Sequence, residues 1–267
     1  MLKDITIGQY FARDSVIHRL DPRTKLILSL VYIVMLFVAK DGWGMIAPFL
    51  LLVTAYLLAR IPMKMVWKSI KPILPILILT GILNLFFVQT GDLLVDFWII
   101  HIHKDGVYFA LLLMARILLL IVSSSLLTYT TSPIALTDGI ERLLSPLRVI
   151  HFPAHELAMM MTLALRFIPT LIEETDKIMN AQKARGADLE SGGVFSRVRA
   201  LIPIFIPLFV SAFRRAEVLA LAMDCRCYRG GVGRTRMKQL RFAWRDLFAS
   251  LVVLACFAAV VCLHIFL

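Results

Sequence analysis

Charge is scarce in this 267-residue chain: Asp, Glu, Lys and Arg supply 18% of it, against 60% apolar residues. A soluble domain is about 25% charged and about 45–50% apolar. The shortage excludes an ordinary water-surrounded globule, and the surplus apolar surface has to face lipid. Cysteine is scarce too. Of Cys225, Cys227, Cys256 and Cys262, the last two lie in an apolar run, where Cys behaves as a small hydrophobe, and nothing points to a disulfide framework. No Gly-x-x-x-x-Gly-Lys-Ser/Thr phosphate loop is present; Gly230–Thr235 has the glycines without the lysine or the spacing. No Ser/His/Asp set and no His-Glu-x-x-His pair occurs on any apolar run. The chain is therefore expected to be no enzyme and to hold no cofactor of its own. His101-x-His103 and Cys225-x-Cys227 come nearest to a metal site, but neither has further ligands nearby, so no metal is expected. The first 25 residues mix charges and turn formers without an apolar core, unlike a signal peptide.

What is present is a series of apolar runs close to the ~20 residues a span needs. Five stand out: Leu26–Ala39, Trp43–Ala59, Pro72–Val88, Val107–Thr130 and Leu247–Leu267. The net charge of +11 reads as a topology marker, since Lys and Arg collect in cytoplasmic loops. No aromatic-studded basic module argues for nucleic acid. Arg60, Lys64, Lys68 and Lys71 follow the second run with no acid among them, whereas Asp92, Asp96 and Asp105 follow the third with only Lys104. The N-terminus is thus expected inside, the loop at 90–106 outside and, after five spans, the C-terminus outside. Two half-length apolar stretches, Leu157–Ile168 and Leu201–Val210, leave seven spans as the alternative. The expected fold is an all-α membrane protein with three regions: a four-span bundle at 1–131, a cytoplasmic helical region at 132–246 and a last span at 247–267.

The middle region carries 17 Lys/Arg and 11 Asp/Glu. Ser132 and Pro133 suit the start of an amphipathic helix over 133–150. A longer helix is expected from Glu156 to Arg185, with Ile168, Leu171, Ile172, Thr175, Ile178 and Met179 on one arc and Glu173, Glu174, Asp176 and Lys177 on the other. It ends in Ala184-Arg185-Gly186, with Gly where a left-handed cap is wanted. A second long helix, Pro207 to Arg226, ends in Cys225-Arg226-Cys227. Its Ala212, Ala216 and Ala220 form a small-residue stripe at which two helices can cross closely. Two arginines at matched helix ends offer rigid forks for acidic partners; the competing role is pairing with lipid phosphate or with the helix's own carbonyls. Arg116, near the middle of the fourth run, is placed where a charge is expensive. Pinning the bundle or touching another membrane subunit is the preferred role over lining a substrate path, with Asn84 and Gln89 as possible partners.

The chain resembles the transmembrane T components of energy-coupling factor transporters, a branch of the ABC transporters. The resemblance runs through His18-Arg19-Leu20-Asp21-Pro22-Arg23-Thr24-Lys25, Thr131-Ser132-Pro133-Ile134, Leu143-Leu144-Ser145-Pro146-Leu147, Ala164-Leu165-Arg166-Phe167-Ile168-Pro169-Thr170, Glu173-Glu174 and Ala181-Gln182-Lys183-Ala184-Arg185-Gly186-Ala187. The family carries two Ala-Arg-Gly motifs at the ends of two crossed coupling helices. The first is intact here at Ala184, Arg185 and Gly186; at Cys225, Arg226 and Cys227 only the arginine is kept, which puts the helix-end turn in question because Cys tolerates a left-handed cap poorly. The resemblance implies a multi-pass protein of a prokaryotic plasma membrane and contact of each arginine with one of two ABC-type ATPase subunits, which would hold the ATP and Mg. It also implies a separate substrate-binding membrane S component cradled by the crossed helices, and vitamin uptake. A T component dedicated to cobalt, nickel or biotin is the alternative; an autonomous secondary transporter would need more midplane charges than Arg116.

Overall fold

The structure is a computed structural model that describes residues 10–87, 93–97, 100–150, 152–187, 193–230 and 240–266. It is all-helical apart from one short hairpin: α1 Pro22–Val38, α2 Gly42–Ala59, α3 Met63–Ile70, α4 Leu74–Phe87, β1 Leu93–Phe97, β2 Ile100–His103, α5 Lys104–Thr130, α6 Pro133–Leu144, α7 Ala154–Ala184, α8 Val194–Cys225 and α9 Trp244–Phe266. Among the described residues, α2, α5, α7 and α9 are long and apolar enough to cross a membrane, and the bent pair α3 and α4 brings the figure to five. The expected number of about five is met with one change of membership. α1 has 17 residues, about 25 Å at 1.5 Å per residue, whereas α7 has 31. The bend of 57° between α3 and α4 falls at Pro72, which lacks an amide hydrogen and disfavours the helical conformation of the residue before it. Basic residues 60–71, expected as a turn, therefore include a helix of their own, and the loop expected at 90–106 contains the antiparallel β1–β2 pair.

The chain divides into two compact units: residues of Gly8–Gly139 with Gln239–Leu267, and those of Ile140–Lys238. In the first, the bundle unit, α1, α2 and α5 pack on one another, α9 closes on α1 and α2, and α3 and α4 lie on α5. Tyr32, Met35 and Leu36 from α1, Met45 and Leu52 from α2, Leu112, Leu119 and Val122 from α5 and Val260 from α9 form one buried cluster. Lipid tails are as apolar as these side chains, so close packing and interhelical hydrogen bonds supply the stability inside the bilayer. Tyr32 Oη donates to the Pro48 carbonyl at 3.1 Å and Tyr56 Oη to the Val122 carbonyl at 2.8 Å. α4 comes close to α5 at Gly81, where an added Cβ would stand 2.6 Å from Met114 Sδ.

A polar knot ties the foot of this unit. Asp21 caps α1, accepting from the Arg23 backbone amide at 2.9 Å, and takes the Arg23 guanidinium through both oxygens at 3.1 and 2.9 Å. Burial raises the Asp21 carboxyl's pKa, but the Arg23 hydrogen bonds outweigh it and leave the group below the usual carboxylate range. Buried Asp246 accepts from the amides of Asp21 and Ala243, both at 2.8 Å, so one carboxylate joins the start of α1 to the start of α9. Lys25 donates to the carbonyls of Thr130 at 2.8 Å and His18 at 3.2 Å. His18 Nε2 lies 3.0 Å from the Phe11 carbonyl, and Nδ1 lies 2.7 Å from the Ser15 hydroxyl. An Nε2-protonated neutral ring satisfies both partners, and burial pushes the His18 pKa below its ordinary value.

In the second unit, α7 and α8 pack together. α8 is one helix of 32 residues containing Pro203 and Pro207, not a helix beginning at Pro207. Lost backbone bonds at proline are tolerated where neighbouring groups take up the freed carbonyls. α6 stops at Leu144 and continues as a 3-10 turn, Ser145–Ile150, instead of running to 150, because Pro146 withholds the amide that would bond the Arg142 carbonyl. Ser132 caps α6 through the Ala135 amide at 3.3 Å.

Candidate functional site

The ends of α7 and α8 are built alike. In α7 the Gly186 amide donates to the Lys183 carbonyl and the Ala187 amide to the Gln182 carbonyl, both at 3.0 Å. In α8 the Cys227 amide donates to the Asp224 carbonyl at 2.8 Å and the Tyr228 amide to the Met223 carbonyl at 3.0 Å. This is the paired 5→2 and 6→1 bonding of a Schellman cap. Both cap positions are left-handed, with φ 83° at Gly186 and φ 53° at Cys227. The turn questioned for the missing glycine is thus kept at Cys227, at a strain of about 1–2 kcal/mol for a side chain in that region. Arg185 and Arg226 occupy the same place, one residue before the left-handed position, with near-identical backbone angles of −86°, 6° and −91°, 13°. Both side chains are exposed, and neither makes a hydrogen bond or ion pair among the described residues.

The two helices run antiparallel. Glu174 of α7 accepts from Ser211 Oγ at 2.5 Å and pairs with Arg215, both on α8, and Gln182 Nε2 donates to the Pro203 carbonyl at 3.3 Å. Rising numbers on α7 meet falling numbers on α8. Arg185 lies eleven residues beyond Glu174, and Arg226 fifteen beyond Ser211 in the opposite direction, which separates the tips by roughly 40 Å. Ala184, Cys225 and Cys227 are exposed beside them, and both thiols are free. Of the alanine stripe, Ala212 is half-buried, while Ala216 and Ala220 are exposed; the side chains of α8 that bond to α7 are Ser211 and Arg215. Ile202, Phe205, Phe209 and Phe213 make an exposed apolar stripe on α8, with the rings of Phe209 and Phe213 in edge contact at 4.8 Å.

A family model described as cobalt transport protein matches residues 13–239. A protein of Thermosediminibacter oceani is 53% identical over 248 residues, covering 93% of each chain. One of Clostridium kluyveri is 50% identical over 99% of this chain and 97% of its own length, and one of Listeria innocua 42% identical over 96% and 97%. All three bear the name energy-coupling factor transporter transmembrane protein EcfT. The chain belongs to this family. It is a T component of energy-coupling factor transporters and a multi-pass membrane protein.

Other sequence-predicted residues of the T component fall as follows. Arg116 Nη2 donates to the carbonyl of Ala39, the residue that caps the C-terminal end of α1, at 2.6 Å; a cation suits that end of a helix. Asn84 bonds within its own helix, to the Thr80 carbonyl at 2.9 Å, and Gln89 lies outside the described residues. No three His, Cys, Asp or Glu side chains gather among the described residues; the side chain of His101 is outside them. Glu174 was assigned to the polar outer arc of α7, whereas the structure turns it inward. The available signal was on the other helix, where Ser211 and Arg215 stand four apart as a ready pair of donors.

Proposed function

We propose that this T component couples two ABC-type ATPase subunits, which hold ATP and Mg, to a substrate-binding membrane S component during vitamin uptake. The observation that carries this reading is the pair of matched arginine caps at opposite ends of one antiparallel helix pair. Each cap holds its guanidinium clear of the chain, and a separation of roughly 40 Å gives each of two partners its own tip. Arginine's fork is suited to carboxylates on such a partner, and truncating a buried interface arginine costs roughly 2 kcal/mol or more. ATP-driven closure of the ATPases would move the tips, and the exposed stripe Ile202, Phe205, Phe209 and Phe213 is the apolar face on which a membrane partner would rest. In this reading α1 counts as a span and α7 does not, so the N-terminus and residues 132–246 are cytoplasmic and the C-terminus is outside. The engagement of Arg116 with α1 argues against a secondary transporter, whose midplane charge would be open to substrate.

The test is purification of the tagged chain in mild detergent with its partners. The parent should retain two ATPases and several small membrane proteins. Arg185→Glu with Arg226→Glu should lose the ATPases and uptake together. Full retention of both in the double variant would overturn the reading, and recovery of one fixed membrane partner instead of several would favour a dedicated T component.

A further inference from the structure

We infer that Glu174, held by Ser211 and Arg215 and reinforced by Gln182, is the positioning residue that fixes the register of α7 on α8 and thereby the distance between the two arginine tips. This inference rests on the coupling reading of the tips. An antiparallel pair joined by apolar contact alone can slide by a turn or rotate, because apolar packing has little direction. Directional bonds remove that freedom. Both oxygens of the Glu174 carboxylate are engaged, Oε1 by the Ser211 hydroxyl and Oε2 by the Arg215 guanidinium. The two donors are one turn apart on α8, so a slip of α8 in either direction breaks at least one bond. The side chains are only 21% and 37% exposed for Glu174 and Arg215, which strengthens the pair relative to one in open water.

A second bond enforces the same register. Pro207 has no amide hydrogen, so the Pro203 carbonyl four residues earlier has no helical partner. Gln182 Nε2 takes that carbonyl at 3.3 Å. Gln182 lies eight residues after Glu174, and Pro203 eight before Ser211. The two bonds therefore describe one alignment, measured equally along both helices. The proline in α8 does more than bend a helix: it exposes the acceptor that a glutamine of α7 reads. Beyond the clasp the two helices run on to their tips in opposite directions, so motion imposed on one tip passes the clasp before it reaches the other.

The experiment is a spin-label distance measurement on the full chain in phospholipid nanodiscs, with labels on native Cys225 and on Ala184→Cys in a background of Cys227→Gly, Cys256→Ser and Cys262→Ser. The parent is expected to give one narrow distribution. Glu174→Ala should at least double its width, Gln182→Ala should widen it less, and the swapped pair Glu174→Arg with Arg215→Glu should narrow it again. With the partner subunits present, Glu174→Ala should lower uptake per ATP hydrolysed by several-fold while the ATPases still co-purify, a split that a merely structural role would not produce. Parent-like width in Glu174→Ala, or a swapped pair as broad as the single variant in a protein of unchanged helicity, overturns the clasp. Widening in Glu174→Ala, with ATPases retained by Arg185→Glu and Arg226→Glu, would leave the clasp standing and sink the coupling reading alone.

Discussion

The bundle unit and the α7–α8 unit use charge in opposite ways. At the foot of α1 the charged groups are turned inward: Asp21 and Asp246 are 5% and 3% exposed, Lys25 is 7% exposed, and each is held by named partners. At the ends of α7 and α8, Arg185 and Arg226 are exposed with no partner among the described residues. The first arrangement resists rearrangement, because breaking a buried polar pair leaves an uncompensated group behind. The second leaves donors free for another molecule, and Glu174 stands between the two patterns as an inward charge that joins α7 to α8. The difference separates the N-terminal motif His18–Lys25, whose Asp21 and Lys25 are spent on contacts inside their own unit, from the Arg motifs, whose charges stay exposed, although both are strings of polar residues in an apolar chain.

Three sets of changes would break or sharpen that contrast. The largest effect is expected from Asp246→Ala. It strands the amides of Asp21 and Ala243 and removes a negative charge whose field reaches Lys25. A loss of about 3–5 kcal/mol is expected, read as a lower unfolding temperature in detergent, whereas Arg185→Ala should leave that temperature unchanged. If both variants melt alike, the contrast fails. Next come the two caps, whose substitutions should have opposite signs. Cys227→Gly relieves a left-handed residue and should stabilise the end of α8 by about 1 kcal/mol, and Gly186→Ala should destabilise the end of α7 by about the same amount. Nothing lies within 4 Å of an added Cβ at Gly186, so the cost there is conformational alone. Amide hydrogen exchange over residues 182–187 and 223–228 reads both.

The smallest effect concerns pH. Burial lowers the His18 pKa from 6.5, so the unfolded chain takes up the proton first as pH falls. Stability contributed by neutral His18 is therefore complete above about pH 6.5 and declines as pH drops through the interval down to the depressed folded value. His18→Gln should flatten the difference in unfolding temperature between pH 7.5 and pH 5.5; an undiminished difference would remove His18 from the knot.

The long apolar runs and the end of α7 at Gly186 were legible in the sequence because their signals are local: hydropathy over a turn or more, and a glycine after a periodic stretch. The start of α8 was not, because Pro203 and Pro207 read locally as breaks and the carbonyl freed by Pro207 is met by Gln182 from another helix. Cys227 was unreadable for a similar reason. Only the bonds of its amide and of Tyr228 show that the backbone keeps the left-handed turn. The inward face of Glu174 was lost among neighbouring acids, Glu173 and Asp176, which the wheel placed on one polar arc. Arg116 was singled out as a costly charge, but its acceptor is a backbone carbonyl of Ala39, and no residue pattern marks a carbonyl.

The antiparallel pairing of α7 and α8 also makes the protein a ruler with readable graduations. Removing seven residues from α8 between Ser211 and Arg226 would draw its tip in by about 10 Å while turning it by only about 20°. Removing two would shorten it by about 3 Å and swing the arginine to the far side of the helix. Length and bearing can thus be varied almost independently along one helix without any change in the caps themselves.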